Sequence, residues 1–225
     1  MTRIVFCDLD GTLLPAGRDR LSADTLAQIK RITDKGIYFC VASGRPYSQL
    51  KSLFGELYRR VIFICLDGAL TMHRDCVLAK RRLPYPERIL SGDTRATLFC
   101  RGGETEIEAG LSEQNVISTL NRAGGEALKI ALYGRAYHGE GARLCYQSGD
   151  IYEYVAPCAN KGSAAKTLME KLRVSPEQAV ALGDGENDIP LFREVGKAFR
   201  TPICHQSLCD MGLPPKTAGE FLSEI

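Results

Sequence analysis

The chain has 225 residues, long for one compact domain and short for two full ones. Hydrophobic residues make up 44% and charged residues 25%, ordinary values that exclude a disordered chain, a fibrous repeat and a coiled coil. Lys and Arg total 29 against 27 Asp and Glu, with no long basic run, so neither nucleic acid nor an anionic membrane surface is expected as a partner.

The first predicted element is the apolar run Ile4-Val5-Phe6-Cys7, which stops abruptly at Asp8, Asp10 and Gly11. So short an apolar segment is too little for a signal peptide, and no uncharged stretch is long enough to span a bilayer. A cytoplasmic chain is the expectation. Ser22 is placed to cap a helix whose buried stripe is Leu26, Ile29 and Ile32, with Gly36 closing it. A second apolar strand, residues 37–42, runs into Ser43-Gly44-Arg45-Pro46. A helix over roughly 47–57 then leads to a third strand, residues 61–66. Strands apolar on both faces and separated by helices predict a parallel sheet covered on both sides. Such sheets hold ligands beyond the carboxyl ends of their strands, and all three strands end in polar or glycine-rich residues.

The middle of the chain changes character. Alternating strands are predicted at 96–100, 127–133, 143–147 and 151–155, with Ser148-Gly149-Asp150 as a hairpin turn and a helix at 113–122. This reads as a small α+β module, residues 83–156, inserted into an α/β core formed by 1–82 and 157–225. The core pattern then resumes with a helix opening at Lys161, a strand at 179–182, and the turn Gly183-Asp184-Gly185-Glu186-Asn187-Asp188. The nine cysteines include no Cys-x-x-Cys, and Cys7, Cys40 and Cys65 lie in apolar runs, so free thiols are expected. Cys204, His205 and Cys209 are close in sequence but lack a fourth ligand for zinc.

Asp8 and Asp10 place two carboxylates just beyond one buried strand, and Asp184 and Asp188 place two more beyond another. Four carboxylates at one sheet edge repel one another unless a cation lies between them, and hard oxygen ligands suit magnesium. Ser43 and Gly44 add a hydroxyl and backbone amides at the same edge, and Lys161 an ammonium. A serine in a turn or a lysine on a helix is ordinary when taken alone. Together with the carboxylates they describe a site for a phosphate.

The four motifs, Asp8-Leu9-Asp10-Gly11-Thr12, Ser43-Gly44-Arg45, Lys161 and Gly183-Asp184 to Asp188, resemble the haloacid dehalogenase superfamily of aspartyl-phosphate phosphohydrolases. The insert resembles the type-two cap of the Cof-like phosphatases, though it is shorter than most. The resemblance implies a Rossmann-like, doubly wound core and a phosphatase acting on small phosphate monoesters, phosphosugars or phosphoacids. It also implies Asp8 as nucleophile and Asp10 as general acid and then base, with neighbouring carboxylates helping Asp10 keep its proton. Magnesium would be held by Asp8, the backbone carbonyl of Asp10, and Asp184. Ser43, Gly44, Lys161 and Asn187 would bind the phosphoryl group, with Asp188, Thr12 and Arg45 in support. Two other readings share the chemistry. A sugar phosphomutase would return the phosphoryl group to its substrate. A signalling receiver domain also phosphorylates an aspartate at a sheet edge, but needs neither the Asp-x-Asp-Gly-Thr tetrad nor an insert. Where Cof-like proteins usually carry asparagine, this chain has Asp67 in Leu66-Asp67-Gly68-Ala69, and the stretch from Arg200 onward matches the family poorly.

Overall fold

A computed structural model describes residues 1–90, 94–110, 112–122, 124 and 126–225. The chain divides into two units, residues 1–79 with 160–225, and residues 80–159. In chain order the strands are β1 (Ile4–Asp8), β2 (Tyr38–Ala42), β3 (Val61–Cys65), β4 (Leu70–His73), β5 (Cys76–Lys80), β6 (Ala96–Cys100), β7 (Gly103–Ile107), β8 (Lys129–Tyr133), β9 (Arg143–Ser148), β10 (Ile151–Val155), β11 (Ala179–Gly183) and β12 (Lys197–Arg200). The helices are α1 (Ala23–Asp34), α2 (Tyr47–Phe54), α3 (Pro86–Leu90), α4 (Glu113–Arg122), α5 (Lys161–Leu172), α6 (Ile189–Phe192), α7 (Gln206–Asp210) and α8 (Ala218–Ser223).

The first unit is built on one sheet in the order β12-β11-β1-β2-β3-β4-β5. The pairings from β12 to β3 are parallel, with Ile4 opposite Ala179 on one side and Tyr38 on the other. The hairpin partner β4 turns back antiparallel to β3. Strands β1, β3 and β11 are buried along their whole length, which explains why they read as unbroken apolar runs. Alternate residues face opposite layers. Ile62 and Ile64 join Phe6, Ala164, Leu168 and Met169 in the core under α5, while Phe63 stacks edge-on against Phe54 of α2 at 5.2 Å. Truncating so enclosed a ring as Phe6 to alanine costs about 3–5 kcal/mol in cores of this kind. Ser22 caps α1 by accepting from the Thr25 amide at 2.9 Å, and Ile29 and Ile32 are its buried stripe.

The parallel arrangement brings the ends of β1, β2, β3 and β11 to one edge. The structure adds elements with no strong sequence signal. Strand β5 and strand β12 are half-buried and charged, and α8 is docked by Arg31, which donates to the Leu222 carbonyl at 2.6 Å. Cys7, Cys40 and Cys65 are buried in the sheet, where loss of water pushes their thiols well above the ordinary range.

The second unit is an antiparallel sheet in the order β7-β6-β8-β10-β9. Leu83, Ile89, Leu98, Ile107, Val116, Leu120 and Ile130 form its core with α3 and α4. The predicted turn at 148–150 is the β9–β10 hairpin, with Gly149 at φ +56°. Strand β7 escaped the sequence reading because Gly103-Glu104-Thr105-Glu106 is half exposed and polar. Among the described residues no helix is long and apolar enough to cross a membrane.

Candidate active site

Strand β1 ends in Asp8, buried at 6% exposure, and the chain then turns sharply. Gly11 makes that turn at φ +85°, and a Cβ there would overlap the Asp184 carboxylate, so no other residue fits without displacing it. The turn is tied by the Gly11 amide donating to the Leu14 carbonyl at 2.9 Å, and Leu9, Leu13 and Leu14 anchor it in the core. Asp184 follows β11, the neighbour of β1, and accepts from the Thr12 hydroxyl at 3.1 Å.

Asn160 caps α5 and sets where the helix begins. Its side chain accepts from the Ser163 amide at 2.8 Å, while the Ser163 hydroxyl accepts from the Asn160 amide at 3.2 Å. Lys161 therefore sits on the first turn of α5, yet it is only 1% exposed. Its Nζ lies 2.6 Å from Asp8 Oδ1 and 2.6 Å from Asp188 Oδ1. The other Asp188 oxygen accepts from the amides of Asp184 and Gly185, both at 3.1 Å. Asp188 is fully buried and thereby fixes both the lysine and the loop that carries Asp184. Gly183 permits this closeness, since a Cβ on it would overlap Asp188 Oδ2.

Carboxylate oxygens of Asp8, Asp184 and Asp188 all lie within 4.8 Å of one another. Burial is the main force pushing the Asp8 carboxyl well above the usual range, opposed by Lys161 and reinforced by Asp188. Burial also raises Asp184, against the pull of the Thr12 hydroxyl. At Lys161 burial works against the charge, but the carboxylates of Asp188 and Asp8 outweigh it and hold the ammonium above the ordinary lysine range. Three carboxylates against one ammonium leave an uncompensated charge of about two in a nearly dry pocket, which a divalent cation would neutralise. Asp8 Oδ2 is buried and meets no hydrogen-bond donor. A free, buried carboxylate oxygen beside Asp184 suits an oxygen-seeking metal, so these residues fit magnesium.

The remaining predicted residues are distributed as follows. Ser43 is buried at the end of β2, its hydroxyl accepting from the Arg45 amide at 3.1 Å, with Gly44 next to it. Asp10 is exposed and held at both oxygens by Arg45, whose Nε donates at 2.9 Å and whose terminal nitrogen donates at 2.5 Å. The expectation that carboxylates would crowd Asp10 is therefore corrected: its close partner is a guanidinium. Asn187 is exposed and its amide reaches Asp67 Oδ1 at 3.5 Å, so it stands beside Asp67 rather than in the acidic cluster.

Asp67 itself is buried at 5% exposure in a run of three left-handed residues, Leu66 at φ +51°, Asp67 at φ +51° and Gly68 at φ +92°. Its carboxylate lies across from Gly44, where a Cβ would come within 3.0 Å of it. Sequence reasoning had no means of finding one further support. The His205 amide donates to the Asp184 carbonyl at 2.8 Å, and the Thr201 amide to the Gly183 carbonyl at 3.0 Å, so the C-terminal stretch braces the Asp184 loop. Backbone amides carry no residue signature.

The family model of haloacid dehalogenase-like hydrolases matches residues 5–89 and 119–200. An HMP-PP phosphatase of Shigella boydii is 28% identical over 233 residues, covering 88% of this chain and 87% of that protein. Among solved structures, a Thermotoga maritima protein superposes with a TM-score of 0.82 at 17% identity, covering 100% of this chain and 98% of that one. A sugar phosphatase of HAD subclass IIB superposes with a TM-score of 0.76 at 14% identity, covering 99% and 97%. The two structural likenesses are likenesses of fold.

Proposed function

The chain belongs to the haloacid dehalogenase-like hydrolases, and on that premise we propose that it is a magnesium-dependent phosphatase releasing phosphate from small monoesters through an aspartyl-phosphate on Asp8. The observation that carries this reading is the buried Asp8, with one oxygen on Lys161 and the other free beside Asp184.

When bound, magnesium supplies charge neutralisation for an incoming phosphate dianion. Asp8, Asp184 and the backbone carbonyl of Asp10 would hold it, with Asp188 fixing their loop. Asp8 attacks phosphorus through a carboxylate oxygen, forming the acyl phosphate as the ester oxygen departs. Lys161 at 2.6 Å holds the nucleophile in place and offers charge to the phosphoryl oxygens. The Ser43 hydroxyl and the Gly44 amide complete the phosphoryl cradle at the end of β2. Asp10 protonates the departing alcohol, then takes a proton from the water that cleaves the acyl phosphate. Arg45 occupies both Asp10 oxygens in the free protein, so Asp10 takes up its role only as the guanidinium yields an oxygen.

For substrate class, one relative is named for HMP-PP and one structural neighbour for sugar phosphates; of these the second supports phosphosugars here, and phosphoacids are the other class of small monoester to include. Phosphate release measured across a panel of phosphorylated metabolites, with magnesium and with chelator, tests the reading. Turnover confined to the magnesium arm is expected. Isomerisation without phosphate release would identify a phosphomutase, and autophosphorylation without turnover a receiver-type domain.

A further inference from the structure

The segment that braces the Asp184 loop carries a pair of thiols. Cys204 Sγ and Cys209 Sγ are 3.6 Å apart, Cys209 exposed and Cys204 half-buried. The chain folds back between them because His205 caps α7, accepting from the Ser207 amide at 3.3 Å, and because Leu208 is pinned fully in the core. Arg200 adds a third group, its guanidinium donating to Cys204 Sγ at 3.8 Å. Burial and the neighbouring Cys209 sulfur hold the Cys204 thiol above its ordinary range and Arg200 only partly offsets them, so the exposed Cys209 is the thiol that meets the oxidant first. The remaining gap to a disulfide, with sulfurs about 2.05 Å apart, is about 1.6 Å, within reach of side-chain rotation and a small backbone shift.

We propose that Cys204 and Cys209 are a reversible oxidation site that loosens the Asp184 loop when it closes. The oxidant is a low-molecular-weight disulfide. One protein thiolate attacks it, forming a mixed disulfide and releasing one small thiol. The second protein thiol then displaces the other small thiol, so two electrons leave the protein and two protons leave with the released thiols. The link to the active site is covalent on one side and hydrogen-bonded on the other. Cys204 is joined directly to His205, whose amide holds the Asp184 carbonyl at 2.8 Å. Drawing Cys204 toward α7 moves that amide and releases the carbonyl. The neighbouring Thr201 bond to Gly183 is left as the remaining brace.

The test exposes the full chain to mixtures of oxidised and reduced glutathione, followed by non-reducing peptide mapping and amide hydrogen exchange over residues 183–188. A single disulfide joining Cys204 to Cys209 is expected, removed by dithiothreitol, with faster exchange in the loop while it persists. Turnover of an activated aryl phosphate should fall about tenfold in the oxidised form, the loss typical when a support of a metal ligand is removed. C204S and C209S should keep the exchange rate and turnover of the reduced protein under the same oxidant. Glutathione adducts that persist on either cysteine without closure would overturn the proposal, as would closure that leaves loop exchange unchanged. The exchange readout decides the question even for a chain that hydrolyses no ester, so failure of the phosphatase reading stays distinguishable.

Discussion

Lys161→Met is the most informative substitution. Lys161 is 1% exposed and lies between the carboxylates of Asp8 and Asp188, each 2.6 Å away. Methionine fills similar space but leaves those groups without their counterion, and removing one partner of a buried ion pair costs about 3–5 kcal/mol. In a protein of this size each kcal/mol moves Tm by about 2–4 °C, so the unit holding Lys161 should melt about 6–20 °C lower. The deficit should depend on metal and pH. Magnesium brings positive charge to the same carboxylates and should recover part of the loss that is seen in chelator. A carboxyl held above its ordinary range, as Asp8 is, contributes stability that is present at low pH and lost as pH rises through its folded value. Without the ammonium the Asp8 carboxyl should be pushed up further, so the variant loses more stability than the wild type as pH rises and the gap widens from acid towards neutral pH. Calorimetry of both proteins, with chelator and with magnesium at several pH values, measures all three effects. Equal melting temperatures in chelator at neutral pH would refute the claim that Lys161 is the counterion of this pocket.

Asp8→Asn should abolish turnover and leave no acid-stable phosphate on the protein after quenching, since an amide cannot form the acyl phosphate. Asp10→Asn should lower turnover by about 10² to 10⁴, least in the first step with an activated leaving group, and quenched samples should hold phosphate on Asp8. Thr12→Val removes the hydroxyl that holds Asp184 Oδ1 at 3.1 Å, and a metal titration should show apparent affinity weakened by about 10-fold to 100-fold with maximal turnover largely kept.

The sheet edge that holds the candidate site was legible because its signals are local. A buried strand that stops at an acid is visible in the sequence, and β1 with Asp8 and β11 with Asp184 are both of this kind. The helix opening at Lys161 was legible from the run that follows it, and the structure adds Asn160 as its cap. What stayed hidden depends on distant partners. Nothing near Arg45 announces that it closes on Asp10, 35 residues away, and nothing near Lys161 says that a helix-start lysine is buried rather than solvated. Strand β5 was hidden because it is half-buried at the sheet edge, where side chains need not alternate cleanly.

The order of strands also governs how the chain is made. Strand β1 pairs with β2, which follows closely in sequence, and with β11, which begins at Ala179. During synthesis the first half of the sheet therefore waits with one edge of β1 bare, through the whole length of the second unit. At roughly 5 to 20 residues per second that wait lasts about 7 to 27 s. For this interval Ile4 to Cys7, an apolar strand with unpaired backbone groups, is an aggregation template that the finished protein no longer presents. A ribosome-bound chain stalled before Ala179 should accordingly recruit holding chaperones, and one extended past Arg200 should shed them.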